Sequence, residues 1–240
     1  MAGHSKWANI RFRKGKQDAA RNKVFTKLAR VITVAARVGT DPNNNAALRL
    51  AMDKAQRMNM GKDIIQRAIA KASKSQEADN LVNIRYEGYG PAGVAFWVHA
   101  LTDNRNRTVA EVRHAFSKYG GSMGVEGCVS YLFNHQGTIF CKSDDEESLI
   151  DIAIEFGAED VKSFGDGSFE VITSPSEFER IRNQLEEQQI VIEDAELTYN
   201  AETSVDCDQS QSESVVKLMD TLENLDDVQS VYINAQLSSE

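Results

Sequence analysis

Ten basic residues crowd the first 37 positions: Lys6, Arg11, Arg13, Lys14, Lys16, Arg21, Lys23, Lys27, Arg30 and Arg37. Asp18 is the one acidic residue among them, and Trp7 and Phe12 lie between the bases. Like charges this close repel unless an anion compensates them. A phosphate backbone does so and releases its own counterions. The aromatic rings add surfaces on which bases stack. The alternative is a solvated basic face, or a tail bound to an acidic protein; clustering with aromatics favours nucleic acid. A second candidate is Asp103-Asn104-Arg105-Asn106-Arg107-Thr108. It places Arg105 and Arg107 just before an expected helix start, where the helix dipole is also positive. Either a phosphate sits between the guanidinium forks and the helix amides, or the arginines pair with Asp103 or Glu87.

Along the 240 residues, charge is strongly segregated. Residues 1–75 carry a net +13, residues 76–137 a net −1, and residues 138–240 a net −21, for a total of −9. The overall acidity argues against a nucleic-acid binder, but the segment values reverse that for the N-terminal part. The acidic part is expected to point away from phosphate or to dock on a basic protein surface. Catalysis finds no support: there is no G-x-S-x-G or H-E-x-x-H, and the four histidines are scattered. The sequence is therefore read as non-enzymatic, with no cofactor and no metal site. Gly88-Tyr89-Gly90-Pro91-Ala92-Gly93 matches G-x-G-x-x-G, yet Val94–Val98 after it reads as a strand where a dinucleotide site needs a helix. A hairpin turn is the better reading. Gly120-Gly121-Ser122-Met123-Gly124 is read as a helix cap and turn. Three cysteines without paired spacing fit a reduced, cytoplasmic chain. No apolar run is long enough for a membrane span, and no secretory leader opens the chain.

The elements that must position these residues follow from periodicity. Val24, Leu28, Ile32 and Ala35 repeat at helical spacing from Asp18, and Gly39 with Asp41-Pro42-Asn43 ends that helix. Leu48, Met52, Ala55 and Met58 mark a second helix and Ile64, Ile65, Ala68, Ile69 and Ala72 a third, broken from it by Gly61. After residue 80 the pattern alternates between strands and helices. Strands are expected at Asn83–Glu87, Val94–Leu101, Cys128–Phe133, Thr138–Lys142, Val161–Phe164, Ser168–Thr173, Ile190–Tyr199, Thr203–Cys207 and Val228–Asn234. Thr108–Glu111, Ser143–Glu146, Ser174–Glu177 and Ser210–Glu213 read as capping boxes opening the four helices between them.

The order from 138 to 199 is β-α-β-β-α-β, and the flanking pieces supply a second such set. The expected fold is α+β and multidomain: an N-terminal three-helix bundle followed by two ferredoxin-like α/β modules, the second inserted in the first. Its boundaries are a basic helical domain at 1–79, a discontinuous domain at 80–135 plus 203–240, and an inserted acidic domain at 136–202.

The chain resembles the YebC family over essentially its whole length. The opening from Met1 to Ile10 carries the likeness, as do Phe25-Thr26-Lys27, Asp41-Pro42-Asn43, Asn59-Met60, Tyr86–Pro91, Asp103–Thr108, the glycine-rich loop before Val129 and Asp226–Gln229. Gly61 and Ala92 depart from it, standing where relatives usually have Pro and Gly. The resemblance implies a helical N-terminal domain, two α/β domains and regulation of transcription through DNA. It also implies an alternative, since other members, a mitochondrial relative among them, resemble translation factors. Such factors act on the ribosome, some easing stalls at proline runs, so this alternative implies binding to ribosomal RNA.

Overall fold

The computed structural model describes residues 21–74 and 81–238. The fold is α+β: a three-helix bundle followed by two ferredoxin-like α/β modules, one inserted in the other. The described residues contain seven α-helices and divide into two compact units, Tyr131–Ser204 and the remainder.

The bundle consists of α1 (Arg21–Ala35), α2 (Ala46–Arg57) and α3 (Lys62–Lys74). Their apolar stripes meet in one core in which Ile32, Leu48, Ala55 and Ile65 are almost wholly buried. Asn45 makes the first turn between helices. Its side-chain oxygen caps α2 at the Leu48 N–H, while its amide nitrogen donates to Ala35 O and Gly39 O at the end of α1. One buried side chain thus satisfies orphan groups of two helices.

The host module begins with β1 (Val82–Tyr89) and β2 (Ala95–Thr102), an antiparallel pair. It continues with α4 (Arg105–Lys118) and the short β3 (Ser122–Met123). After the inserted module come β8 (Val205–Cys207), α7 (Gln209–Glu223), β9 (Val228–Ile233) and β10 (Ala235–Leu237). The main sheet runs β3-β1-β2-β9. Phe96 and Phe116 meet edge to face at 5.7 Å in the core between this sheet and the helices.

The inserted module consists of β4 (Phe133–Lys142), α5 (Glu146–Glu155), β5 (Asp160–Ser163), β6 (Ser168–Thr173), α6 (Phe178–Glu187) and β7 (Val191–Ala201). Its sheet order is β5-β6-β4-β7, antiparallel throughout. That is the arrangement β-α-β-β-α-β connectivity demands when each helix crosses back over the sheet.

Several local expectations require correction. Cys128–Phe133 is not a strand: a bend and a 3-10 turn at Ser130–Leu132 lead into β4 at Phe133. The amides of Gly127, Val129 and Ser130 point instead at the Glu87 carboxylate. The strand around 205–207 leaves the main sheet and pairs in parallel with β10, and β1 occupies the place beside β2. Three of the four capping boxes are also displaced. Asn104, Asp145 and Asp208 cap α4, α5 and α7, and Asp208 forms its box with Gln211. At the fourth, Ser174 Oγ accepts from the Glu177 N–H at 3.3 Å as the expected box requires, while the Glu177 carboxylate accepts from Arg180 and makes no side-chain cap of its own.

The glycine motif at 88–93 links β1 to β2 through a turn at Pro91–Gly93. Ala92 there has φ 57°, in the left-handed region. An L-residue there costs about 1–2 kcal/mol, whereas glycine costs about 0.4–1 kcal/mol through the unfolded chain. Ala92→Gly should therefore stabilise the protein by about 0.5 kcal/mol. Thermal unfolding should show a rise of about 1–2 °C.

Candidate nucleic-acid interface

Of the expected phosphate-binding residues, Lys6, Trp7, Arg11, Arg13, Lys14 and Lys16 lie outside the described residues, as does the side chain of Arg21. The others divide by what holds them. Lys23, Lys27 and Arg30 stand at i, i+4 and i+7 on one face of α1. Lys23 Nζ donates to Asn224 O at 3.0 Å and Lys27 Nζ to Glu223 O. Arg30 donates to Asp226 O at 3.0 Å and to Asp227 Oδ1 at 3.1 Å. The two lysines therefore serve carbonyls at the C-terminal end of α7, the negative end of that helix. Burial lowers the Lys27 pKa, and the charges of Glu223 and Asp226 oppose that shift. Arg37 is half-buried in the turn after α1.

Arg105 and Arg107 sit inside the first turn of α4 rather than before it. Arg105 is exposed. Arg107 lies 2.7 Å from Asp227 Oδ2 and 2.9 Å from Asp103 Oδ1. Its hydrogen bonds to Asp227 and then Asp103 raise its pKa above the ordinary arginine value. The pairing alternative with Asp103 is thus the one found, and Glu87 takes no part in it.

Two buried carboxylates organise the surroundings. Asp227 is 2% exposed and accepts from Thr102 Oγ1 at 3.1 Å, Thr108 Oγ1 at 2.8 Å, Arg107 and Arg30. It joins the end of β2, the start of α4 and the bundle at one point. Burial alone would raise its pKa, but Arg107, Thr108 and Thr102 outweigh burial and hold it below the usual carboxylate range. Glu87 resists burial in the same way, through the amides of Val129, Gly127 and Ser130. Its side chain is thereby the internal template of the loop before β4.

The sequence reading missed a second basic group. Lys54, Arg57, Lys62, Arg67 and Lys71 are exposed on α2 and α3. Each falls off the apolar stripe of its helix, and that placement was the available signal. Arg67 pairs with Asp63 at 2.6 Å, with both side chains about three-quarters exposed. Such a surface pair is worth little and yields readily to a stronger anion.

Among the described residues no group of His, Cys, Asp and Glu could hold a metal ion. No described helix is long and apolar enough to cross a membrane. Burial pushes the Cys141 thiol up to about 12, so it is inert at neutral pH.

A basic helical bundle is thus fastened through Lys23, Lys27 and Arg30 to an α/β module. Residues 5–75 match the family model described as the TACO1/YebC protein N-terminal domain, and residues 81–235 match the TACO1/YebC second and third domain. The chain belongs to the TACO1/YebC family. A Pseudomonas putida relative named "Probable transcriptional regulatory protein" is 54% identical over all of this chain and 98% of its own. A Coxiella burnetii relative of the same name is 54% identical over all of this chain and 99% of its own. A crystal structure of a conserved hypothetical protein from Aquifex aeolicus superposes with a TM-score of 0.85 at 43% identity, covering 98% of both chains.

Proposed function

We propose that the protein is a non-enzymatic, cytoplasmic nucleic-acid-binding regulator that acts on transcription by gripping DNA phosphates through its basic helical domain. The observation that carries this is the net +13 of residues 1–75 in a chain of net −9. The name given to its relatives, "Probable transcriptional regulatory protein", agrees with it.

The interface combines the N-terminal bases with the exposed group on α2 and α3. Arg105 is a further contact, and Arg107 is a positioning residue. Phosphate contacts of this kind fix register and carry no base sequence. Crosslinking the protein to nucleic acid in cells and sequencing what is attached tests the proposal. A predominance of duplex DNA is expected. A predominance of ribosomal RNA would replace it with a ribosome-bound translation factor that relieves stalling at proline runs.

A further inference from the structure

The inserted module contains a cleft of about 450 Å³ that the nucleic-acid reading does not use. It opens where the β4–α5 loop, the β5–β6 turn and the α6–β7 turn meet. Leu149, Ile152, Ile190 and Val191 supply its apolar lining, and Asp144 and Asp166 stand on it as acids. Val191 is 63% exposed, although it is a branched aliphatic residue at the start of an edge strand. Lys142 is the single base of the lining, and Glu193 holds its ammonium at 2.7 Å.

The charge of the module that holds this cleft selects its occupant. Residues 131–204 carry 18 Asp and Glu against 4 Lys and Arg, a net −14. Polyanions are repelled from such a surface and polycations attracted. The apolar lining demands more than charge. A solvated lysine chain leaves Ile152, Ile190 and Val191 wet, whereas a side chain such as leucine covers them. Apolar side chains laid in a hydrophobic groove are a recurring anchor of short protein segments.

We propose that this cleft docks a basic protein segment by one or two aliphatic side chains flanked by lysine or arginine. It gives a place to the contact with a basic protein expected for the acidic part. It stands independently of what the N-terminal bases bind.

The test uses the full chain with labelled Ile, Leu and Val methyl groups. The probe is the peptide KKLLKKLLKKLL, and the control is the same peptide with serine for leucine. The probe should shift the Leu149, Ile152, Ile190 and Val191 methyls and bind about tenfold more tightly than the control. Val191→Ser, a change at an exposed position, should weaken the probe about three- to tenfold and leave the control unaffected. Equal binding of probe and control, shifts scattered over the acidic surface, or an unchanged Val191→Ser affinity would each overturn the proposal. So would the same methyl shifts on adding duplex DNA.

Discussion

Asp227→Asn should lower the thermal midpoint by about 5–10 °C at pH 7, from a loss of about 2–4 kcal/mol. The carboxylate is buried and takes hydrogen bonds from two threonines and two arginines. An amide keeps one acceptor and turns a donor toward guanidinium groups, so at least one buried hydrogen bond becomes a clash of donors. The loss stays at the lower end for buried ion pairs because Arg107 and Arg30 are 43% and 31% exposed and regain water. The pH dependence has a definite sign. The native pKa of Asp227 is depressed. Its contribution is therefore full above the unfolded carboxylate value of about 3.9 and fades as pH falls toward the lower native value. Glu87 adds a contribution of the same sign. Wild type should lose stability steeply below about pH 4, and the gap to Asp227→Asn should narrow there. A gap constant from pH 7 to pH 3 would show that the charge is irrelevant.

Replacing Lys6, Arg11, Arg13, Lys14 and Lys16 together with Gln should weaken duplex binding by about 10²–10³-fold near 0.1 M salt, with little change in the thermal midpoint. The plot of log affinity against log salt should flatten by about 0.9 for each phosphate left without its cation. The same change at Lys23, Lys27 and Arg30 should behave differently. These side chains hold the end of α7 and Asp227, so their removal should lower the midpoint. A parallel drop in affinity in both variants, with unchanged stability, would show that α1 binds phosphate through those residues after all. An unchanged salt slope in the first variant would remove the N-terminal bases from the interface.

Helix positions and the bundle core were legible because apolar spacing is local. The stripes of Leu28, Ile32, Leu48 and Ile65 specify their own inward faces. Capping was not legible from the S/T-x-x-E pattern, since Asn104, Asp145 and Asp208 offered equally good oxygens nearby. Thr108 illustrates the competition: in place of opening α4 it lies buried within it and donates to Asp227, 119 residues away. Cys128–Phe133 failed for a related reason. Its Val129, Tyr131 and Phe133 suit a strand, but the Glu87 carboxylate some 40 residues earlier claims its amides. The basic site was visible as a charge and invisible as a geometry. Nothing local tells Lys23, whose partner is 201 residues away, from Lys54 on the exposed face of α2.

The strand order β3-β1-β2-β9 also sets a timetable for assembly. Every strand of the inserted module lies within 133–201, and that sheet is complete once residue 201 has been made. The middle of the host sheet must wait, because β2 pairs with β9 at 228–233, over a hundred residues downstream. Contacts of such long separation form late. As the chain is synthesised, the free edge of β2 stays open until β9 arrives. The fastening of α1 to residues 223–227 is completed in the same final stretch.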